Sequence, residues 1–294
     1  MITKLTFATI LGLVCLLLCI SATYAQAPKD TSADNKPIFK IGVSFINNDI
    51  YYGRSDTINT PTIIPLIKYI FSSGIYLSGD LNYVTNRKNN KLDGGSLAAG
   101  YDFSITDDLE GSASFAKLFY NGNSTQVGSA NRANFNINLN YNVADIVTPS
   151  IAFDYDINRS GVGNDVYINI GLSHDFEFEK VFSDNDNLVI SPSIELNSGT
   201  QNFYSDYVAR RTIRNKKITT AQTALLASEK AELAQYKLLD YELSLPVEYE
   251  SGVITVNFTP TYALAQNKLP AGISSTLRGS GNVFYFQLGL TLKF

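Results

Sequence analysis

Tryptophan is absent from the 294 residues, and histidine and methionine occur once each. The only two cysteines, Cys15 and Cys19, fall within the first 25 positions. If that segment is removed, neither disulfides nor thiol chemistry is left to the chain. A single histidine, His174, cannot build a His-rich metal site, and on a strand its neighbour Ser173 points to the opposite face, which excludes a simple nucleophile–base pair. Charged residues make up 17% of the chain and the net charge is −4, so no basic excess points to nucleic acid. Beyond residue 25 no apolar run reaches the roughly 18 residues of a membrane-spanning helix. Ser183–Asn187 departs from a calcium loop at Leu188 and Val189, and Gly161-Val162-Gly163 lacks the third glycine of a dinucleotide fingerprint. No cofactor and no metal are implied.

At the N-terminus, Lys4 precedes an apolar run from Leu5 to Ile20, and Thr23-Tyr24-Ala25 places small residues at the two cleavage-determining positions before Gln26. Residues 1–25 therefore read as a secretory signal peptide cleaved near Ala25/Gln26. Val14 and Leu18 stand where a lipoprotein signal ending at Cys15 or Cys19 needs a small residue. Residues 26–37 are polar, carry two prolines, and read as a leader. Lys4 is the only charge in the signal segment, so its removal makes the chain one unit more acidic.

From Ile38 onward, segments of alternating apolar and polar residues are separated by Asn, Asp, Gly and Ser clusters. In the clearest, Phe135, Ile137, Leu139, Tyr141 and Val143 alternate with Asn134, Asn136, Asn138, Asn140 and Asn142. Strand side chains alternate with period two, so the asparagines share one face. Five amides in register each need partners, which fits a wet or heavily hydrogen-bonded interior better than a dry core. Twelve segments can be traced in residues 38–294. The second, Thr62–Phe71, is apolar on both faces except for Lys68; the fifth, Leu109–Tyr120, shifts phase near Ala116 and Lys117, which predicts a β-bulge. Residues 205–237 break the pattern with a basic cluster, Arg210, Arg211, Arg214, Lys216 and Lys217, followed by a Gly- and Pro-free stretch from Thr219 to Lys237 whose composition predicts helix.

The last segment reads VFYFQLGLTLKF, with Phe284, Phe286, Leu288, Leu290, Leu292 and Phe294 on one face. It resembles the terminal strand of bacterial outer-membrane β-barrels. That resemblance implies an all-β, transmembrane, antiparallel up-and-down barrel of about twelve strands in a Gram-negative outer membrane. Its partners would be outer-membrane lipid and lipopolysaccharide, and Phe284, Phe286 and Phe294 would form the signal read by the barrel-assembly machinery. Connection lengths agree: one alternate set is very short apart from Glu179–Asp186, and the other, which includes Asn47–Pro61, Asn121–Asn131 and 205–237, is longer and more variable. Outer-membrane barrels have short periplasmic turns and long external loops. Ile50-Tyr51-Tyr52-Gly53-Arg54-Ser55, with Pro61, Tyr69 and Ser73-Gly74-Ile75-Tyr76, is also similar to the opening of TorF-type porins, with the Gly-Arg order reversed.

The polar face of such a barrel collects Asp80, Asp102, Glu110, Asp154, Asp156, Asp175, Glu177, Glu195, Asp240, Glu242 and Glu248 against only Lys40, Lys68 and Lys293. Charged rings in narrow pores select counter-ions, so this lining predicts a porin-like channel for cations or small polar solutes. The alternatives are a closed lumen with a structural or surface-binding role and, third, an outer-membrane enzyme. His174, in line with Leu172 and Phe176, is expected on the lipid side.

Overall fold

An alternating strand buries one face only if the sheet it joins curls up or stacks, and here the sheet curls until its edges meet. The computed structural model describes residues 36–55, 59–122, 124, 126–206, 224, 230–267 and 282–294. The signal segment, most of the leader and the cluster Arg210, Arg211, Arg214, Lys216 and Lys217 lie outside the described residues.

The first strand, β1 (Ile38–Ile46), is followed by a short hairpin, β2 (Ile50–Tyr51) and β3 (Arg54–Ser55). Then come β4 (Thr62–Ile70), β5 (Ile75–Val84), β6 (Leu92–Ser104), β7 (Leu109–Tyr120), β8 (Asn131–Tyr141) and β9 (Thr148–Asn158). The second half contains β10 (Asp165–Ser173), β11 (Phe176–Glu179), β12 (Asp186–Ile190), β13 (Ser193–Gly199), β14 (Lys237–Ser244), β15 (Val247–Ser251), β16 (Ile254–Ala265) and β17 (Val283–Lys293). All but β2 and β3 form one antiparallel sheet, which closes where β17 pairs with both β16 and β1. At the closure Lys293 lies opposite Lys40, and Phe294 and Phe39 exchange backbone hydrogen bonds of 2.8 and 2.9 Å. Since β10 continues into β11, β12 into β13 and β14 into β15, the wall has twelve staves. Closure leaves no free sheet edge, the condition for a β-structure to cross a bilayer.

Proline lies at the break in two of those three staves and opposite the break in the third. The ladder stops at Ser191-Pro192 and Leu245-Pro246, because proline has no N–H to donate. The prolines still accept: His174 N–H bonds Pro192 O at 3.3 Å, Ser191 N–H bonds Pro246 O at 2.9 Å, and Leu245 N–H bonds Pro260 O at 3.1 Å. A diagonal of prolines thus crosses three adjacent staves and faces the break in a fourth.

The bulge expected at Ala116 and Lys117 is not formed. β7 keeps continuous register against β6 from Glu110 to Tyr120 and against β8 from Leu109 to Lys117. Lys117 sits on the outer face between exposed Phe115 and Phe119, and a charged outward residue had simply mimicked a phase change. The register shifts fall instead at Asn82/Tyr83, Asn131/Ala133 and Asn197/Ser198. In the loop between β13 and β14, residues 202–206 and 230–233 are helical, while most of the helix expected from Thr219 lies outside the described residues.

Apolar side chains cover the outside. Ile41, Leu77, Leu97, Phe115, Ile151, Ile170, Leu243, Phe284 and Leu288 are all exposed, a surface that only hydrocarbon can cover. Because every stave is hydrogen-bonded on both sides, the folded barrel should resist SDS at room temperature. The expected result is faster gel migration unboiled than boiled; identical migration would count against the closed barrel.

Candidate functional site

The buried apolar core of this barrel lies inside the end that carries the longer loops, some of which fold back into the lumen. Val127, Ala130, Tyr167, Phe203, Tyr204, Leu233 and Leu239 form one cluster, with Tyr51 and Tyr52 packed against it. Sequence reading had treated Asn47–Pro61 as an ordinary external loop. In the structure its β2–β3 hairpin leaves the β1/β4 side and reaches the wall formed by β9, β10 and β14.

Its tip is a two-residue turn, Tyr52-Gly53, with φ of 48° and 69°. Both central residues in the left-handed region mark a type I′ hairpin, for which glycine is the favoured second residue. Glycine is needed here on a second count: a Cβ on Gly53 would lie 2.9 Å from Asp240 Cβ and 3.3 Å from Ala265 Cβ. On either side of the turn the contacts cross the lumen. Tyr51 donates its hydroxyl hydrogen to Asp156 Oδ2, and its ring meets Phe203 edge-on at 4.9 Å. Tyr52 stacks on Tyr167 with centroids 3.9 Å apart. Arg54 Nη2 donates to Gln201 Oε1 at 2.9 Å, while its guanidinium lies 4.5 Å from the centre of the Tyr204 ring. Burial lowers the Arg54 pKa to about 10, so it remains charged at neutral pH.

The feet of the hairpin are tied to the rim. Thr60 N–H donates to Asn48 Oδ1 at 3.1 Å, Asp49 N–H to Thr60 Oγ1 at 3.2 Å, and Phe286 N–H to Asn47 Oδ1 at 2.7 Å. Asp49 sits near Asp93, which pairs with Arg87 and accepts from Ser124 Oγ at 2.7 Å. Burial, and then the Asp93 charge, raise the Asp49 pKa to about 6. A carboxyl that ionises less readily when seated binds more protons in that state. Seating is therefore favoured below the ordinary aspartate range, and that advantage is lost as pH rises through about 6. The hairpin is expected to be held more firmly at pH 5 than at pH 7.5, read as the mobility of a nitroxide label at position 50, and Asp49→Asn should flatten the dependence. A variant that keeps the full pH response would overturn this assignment.

Asn134 and Asn136 do not line open space. Asn134 Nδ2 donates to Asp154 and Asp156 at 3.2 and 2.8 Å, and Asn136 Nδ2 to Asp154 at 2.8 Å; Asn169 Nδ2 reaches the other Asp154 oxygen at 3.1 Å. Asp156, on which Tyr51 docks, and its neighbour Asp154 are thus both fixed by amide donors. Further round the wall Glu195 faces Glu242 and Asn197 faces Asp240 across β13 and β14. Tyr285 hydroxyl donates to Glu242 at 3.1 Å. On the other side Asp80 accepts from Ser96 Oγ.

At the end with the short turns the lumen opens into a cavity of about 1030 Å³. Asp102, Glu110, Asp175, Glu177 and Glu248 line it with Asn138 and Asn140. Asp107, Asp108 and Asp145, from the turns between strands, add to the acidic rim. Lys293, Lys40 and Lys68 lie side by side in register on β17, β1 and β4. Lys68 is 3.5 Å from Asp102 and 3.8 Å from the centre of the Tyr76 ring. The interior therefore carries a lysine stripe on one arc and a larger array of carboxylates on the rest.

His174 stands at the border of this cavity, in line with the exposed Phe176. Its ring packs edge-on against Phe176 at 4.3 Å.

A closed antiparallel barrel with an apolar exterior and a polar interior is the architecture of a bacterial outer-membrane protein. No family model matches the chain, and no curated protein matches it. Among solved structures, LpxR from Salmonella typhimurium shares 9% identity over 86% of this chain and 99% of its own, with a TM-score of 0.50. KdgM porin shares 12% identity over 87% of this chain and 99% of its own, with a TM-score of 0.46. An outer membrane channel from Pseudomonas putida F1 shares 8% over 92% and 100%, with a TM-score of 0.47. At 9% identity the likeness to LpxR concerns the fold alone.

Proposed function

We propose that the protein is a gated outer-membrane channel for small cationic or polar solutes, with the β2–β3 hairpin as its constriction. The observation that carries this reading is a hairpin that crosses the lumen above an open acidic cavity and is held by non-covalent contacts alone. Several of those contacts are imperfect: Arg54 Nε, Ser55 Oγ and Gln201 Nε2 are buried without hydrogen-bond partners among the described residues. Each unsatisfied buried polar group costs about 1–3 kcal/mol, which keeps the seated hairpin displaceable. The carboxylates Asp102, Glu110, Asp175, Glu177 and Glu248 supply the cation preference, with Asn138 and Asn140 as neutral polar lining.

Reconstitution in planar bilayers tests this reading. The expected result is discrete openings whose reversal potential in a salt gradient has the sign of cation permeation. Openings selective for anions would overturn the charge assignment. A second reading, a barrel kept closed for a structural or surface-binding role, is favoured by how fully the external half is packed; complete electrical silence of both the wild type and a hairpin-deleted variant would select it. A catalytic role is not proposed, because the lone histidine packs on Phe176 and the Asp154–Asp156 pair is committed to amides and to Tyr51.

A further inference from the structure

A groove of about 810 Å³ runs along the outside of the wall, from β1 across β4, β5 and β6 to β7. Two outward-facing glycines form its floor. Gly79 lies between Ile67 and Leu97, and Gly95 between Leu81 and Phe119. Pro65 adds a gap, since the β4–β5 pairing skips Ile64 and Pro65. The groove lies toward the external ends of these strands, since it includes Leu92, Asp93 and Asn121 beside the external loops. It therefore faces the outer leaflet.

A second, independent observation concerns charge. Lys117 is exposed on the lipid-facing side, directly opposite Leu97 of the groove. It is three residues from the external end of β7, about 10 Å along the strand. A lysine on the lipid face of a barrel is costly unless it reaches the interface or an anion. At the groove's upper end Lys91 Nζ lies 5.7 Å from the centre of the outward Tyr83 ring, and Lys88 is exposed in the same loop. No ion pair engages Lys88, Lys91 or Lys117 among the described residues. Two ammonium groups, of Lys91 and Lys117, thus flank an apolar trough.

We infer that this face binds one phosphorylated, multiply acylated saccharolipid of the outer leaflet, an acyl chain lying over Gly79 and Gly95 and phosphates meeting Lys91 and Lys117. Apolar trough and paired cations together match an amphiphile whose anionic groups sit at the depth of the outer interface. A second copy of this chain would bring more apolar surface to the trough but no anions to the lysines.

The test is native mass spectrometry of the full barrel in detergent, titrated with bis-phosphorylated lipid A, with dephosphorylated lipid A and with phosphatidylglycerol. The expected result is a single adduct with the bis-phosphorylated probe, weaker with the other two. Lys91→Ala combined with Lys117→Ala should weaken that adduct about tenfold or more, at roughly 1 kcal/mol per basic residue. Gly79→Leu, which fills the trough, should do the same. Its added Cβ would meet Leu97 Cδ2 at 3.1 Å, a flexible side-chain end. Both variants should keep heat-modifiable migration and wild-type conductance, which separates this site from the lumen. Equal adducts with phosphatidylglycerol, an unchanged adduct in the lysine variant, or a dimer occupying the groove would each overturn the inference. Should Gly79→Leu fail to fold, the lysine variant alone decides.

Discussion

Replacing Tyr51–Ser55 with a short Gly-Ser linker should raise single-channel conductance several-fold and lengthen the open time. The hairpin supplies the groups that bridge the lumen at this level: the Tyr51 hydroxyl on Asp156, the Tyr52 ring on Tyr167, the Gly53 backbone against Asp240 and the Arg54 guanidinium on Tyr204. None of these contacts belongs to the barrel ladder, whose stave-to-stave hydrogen bonds remain when the hairpin is removed. The wall should therefore fold, keep its gel mobility and expose a continuous path from the cavity to the outside. Deletion also uncovers Asp154, Asp156 and Asp240, adding fixed negative charge along that path. An unchanged conductance in a correctly folded variant would show that the hairpin is not the constriction.

The second large effect is on selectivity. Neutralising Asp102, Glu110, Asp175 and Glu248 to Asn or Gln removes four carboxylates from the cavity lining while Lys40, Lys68 and Lys293 stay in place. Lys68 also loses its ion-pair partner in Asp102. Inside a narrow lumen with low-dielectric walls, fixed charges set the local counter-ion concentration. The reversal potential in a salt gradient is expected to move from cation-selective toward zero or to the anion side. The shift should be greatest at low ionic strength, where the screening length is longest. A reversal potential indifferent to all four substitutions would remove the cavity from the permeation path.

Most of the wall was legible because one rule, alternation with period two, applies residue by residue. Phe135–Val143 against Asn134–Asn142 fixes a strand and its two faces without knowledge of any neighbour. The loop parity follows from counting. What could not be read depends on partners far away in sequence. Tyr51 is 105 residues from Asp156, and Arg54 is 147 residues from Gln201, so no local pattern marks the hairpin as inserted. The Tyr52-Gly53 turn between short runs was the available hint. Lys117 misled for the opposite reason: a charge on the lipid face looks like a change of phase when the groove and interface beside it are unknown. The asparagine row was legible as polar but not as divided, since only the strand opposite decides that Asn134 and Asn136 hold carboxylates while Asn138 and Asn140 face the cavity.

The proline diagonal has a mechanical consequence. A barrel is stiff because each stave is clamped along its whole length, and Pro192, Pro246 and Pro260 interrupt that clamping at neighbouring points across the wall. Below this line β11, β12 and β15 form a separately paired apron, with β15 joined in turn to the lower part of β16. Shear between this apron and the wall above it is resisted by fewer ladder bonds than on the opposite arc, where β6, β7 and β8 are paired in continuous register.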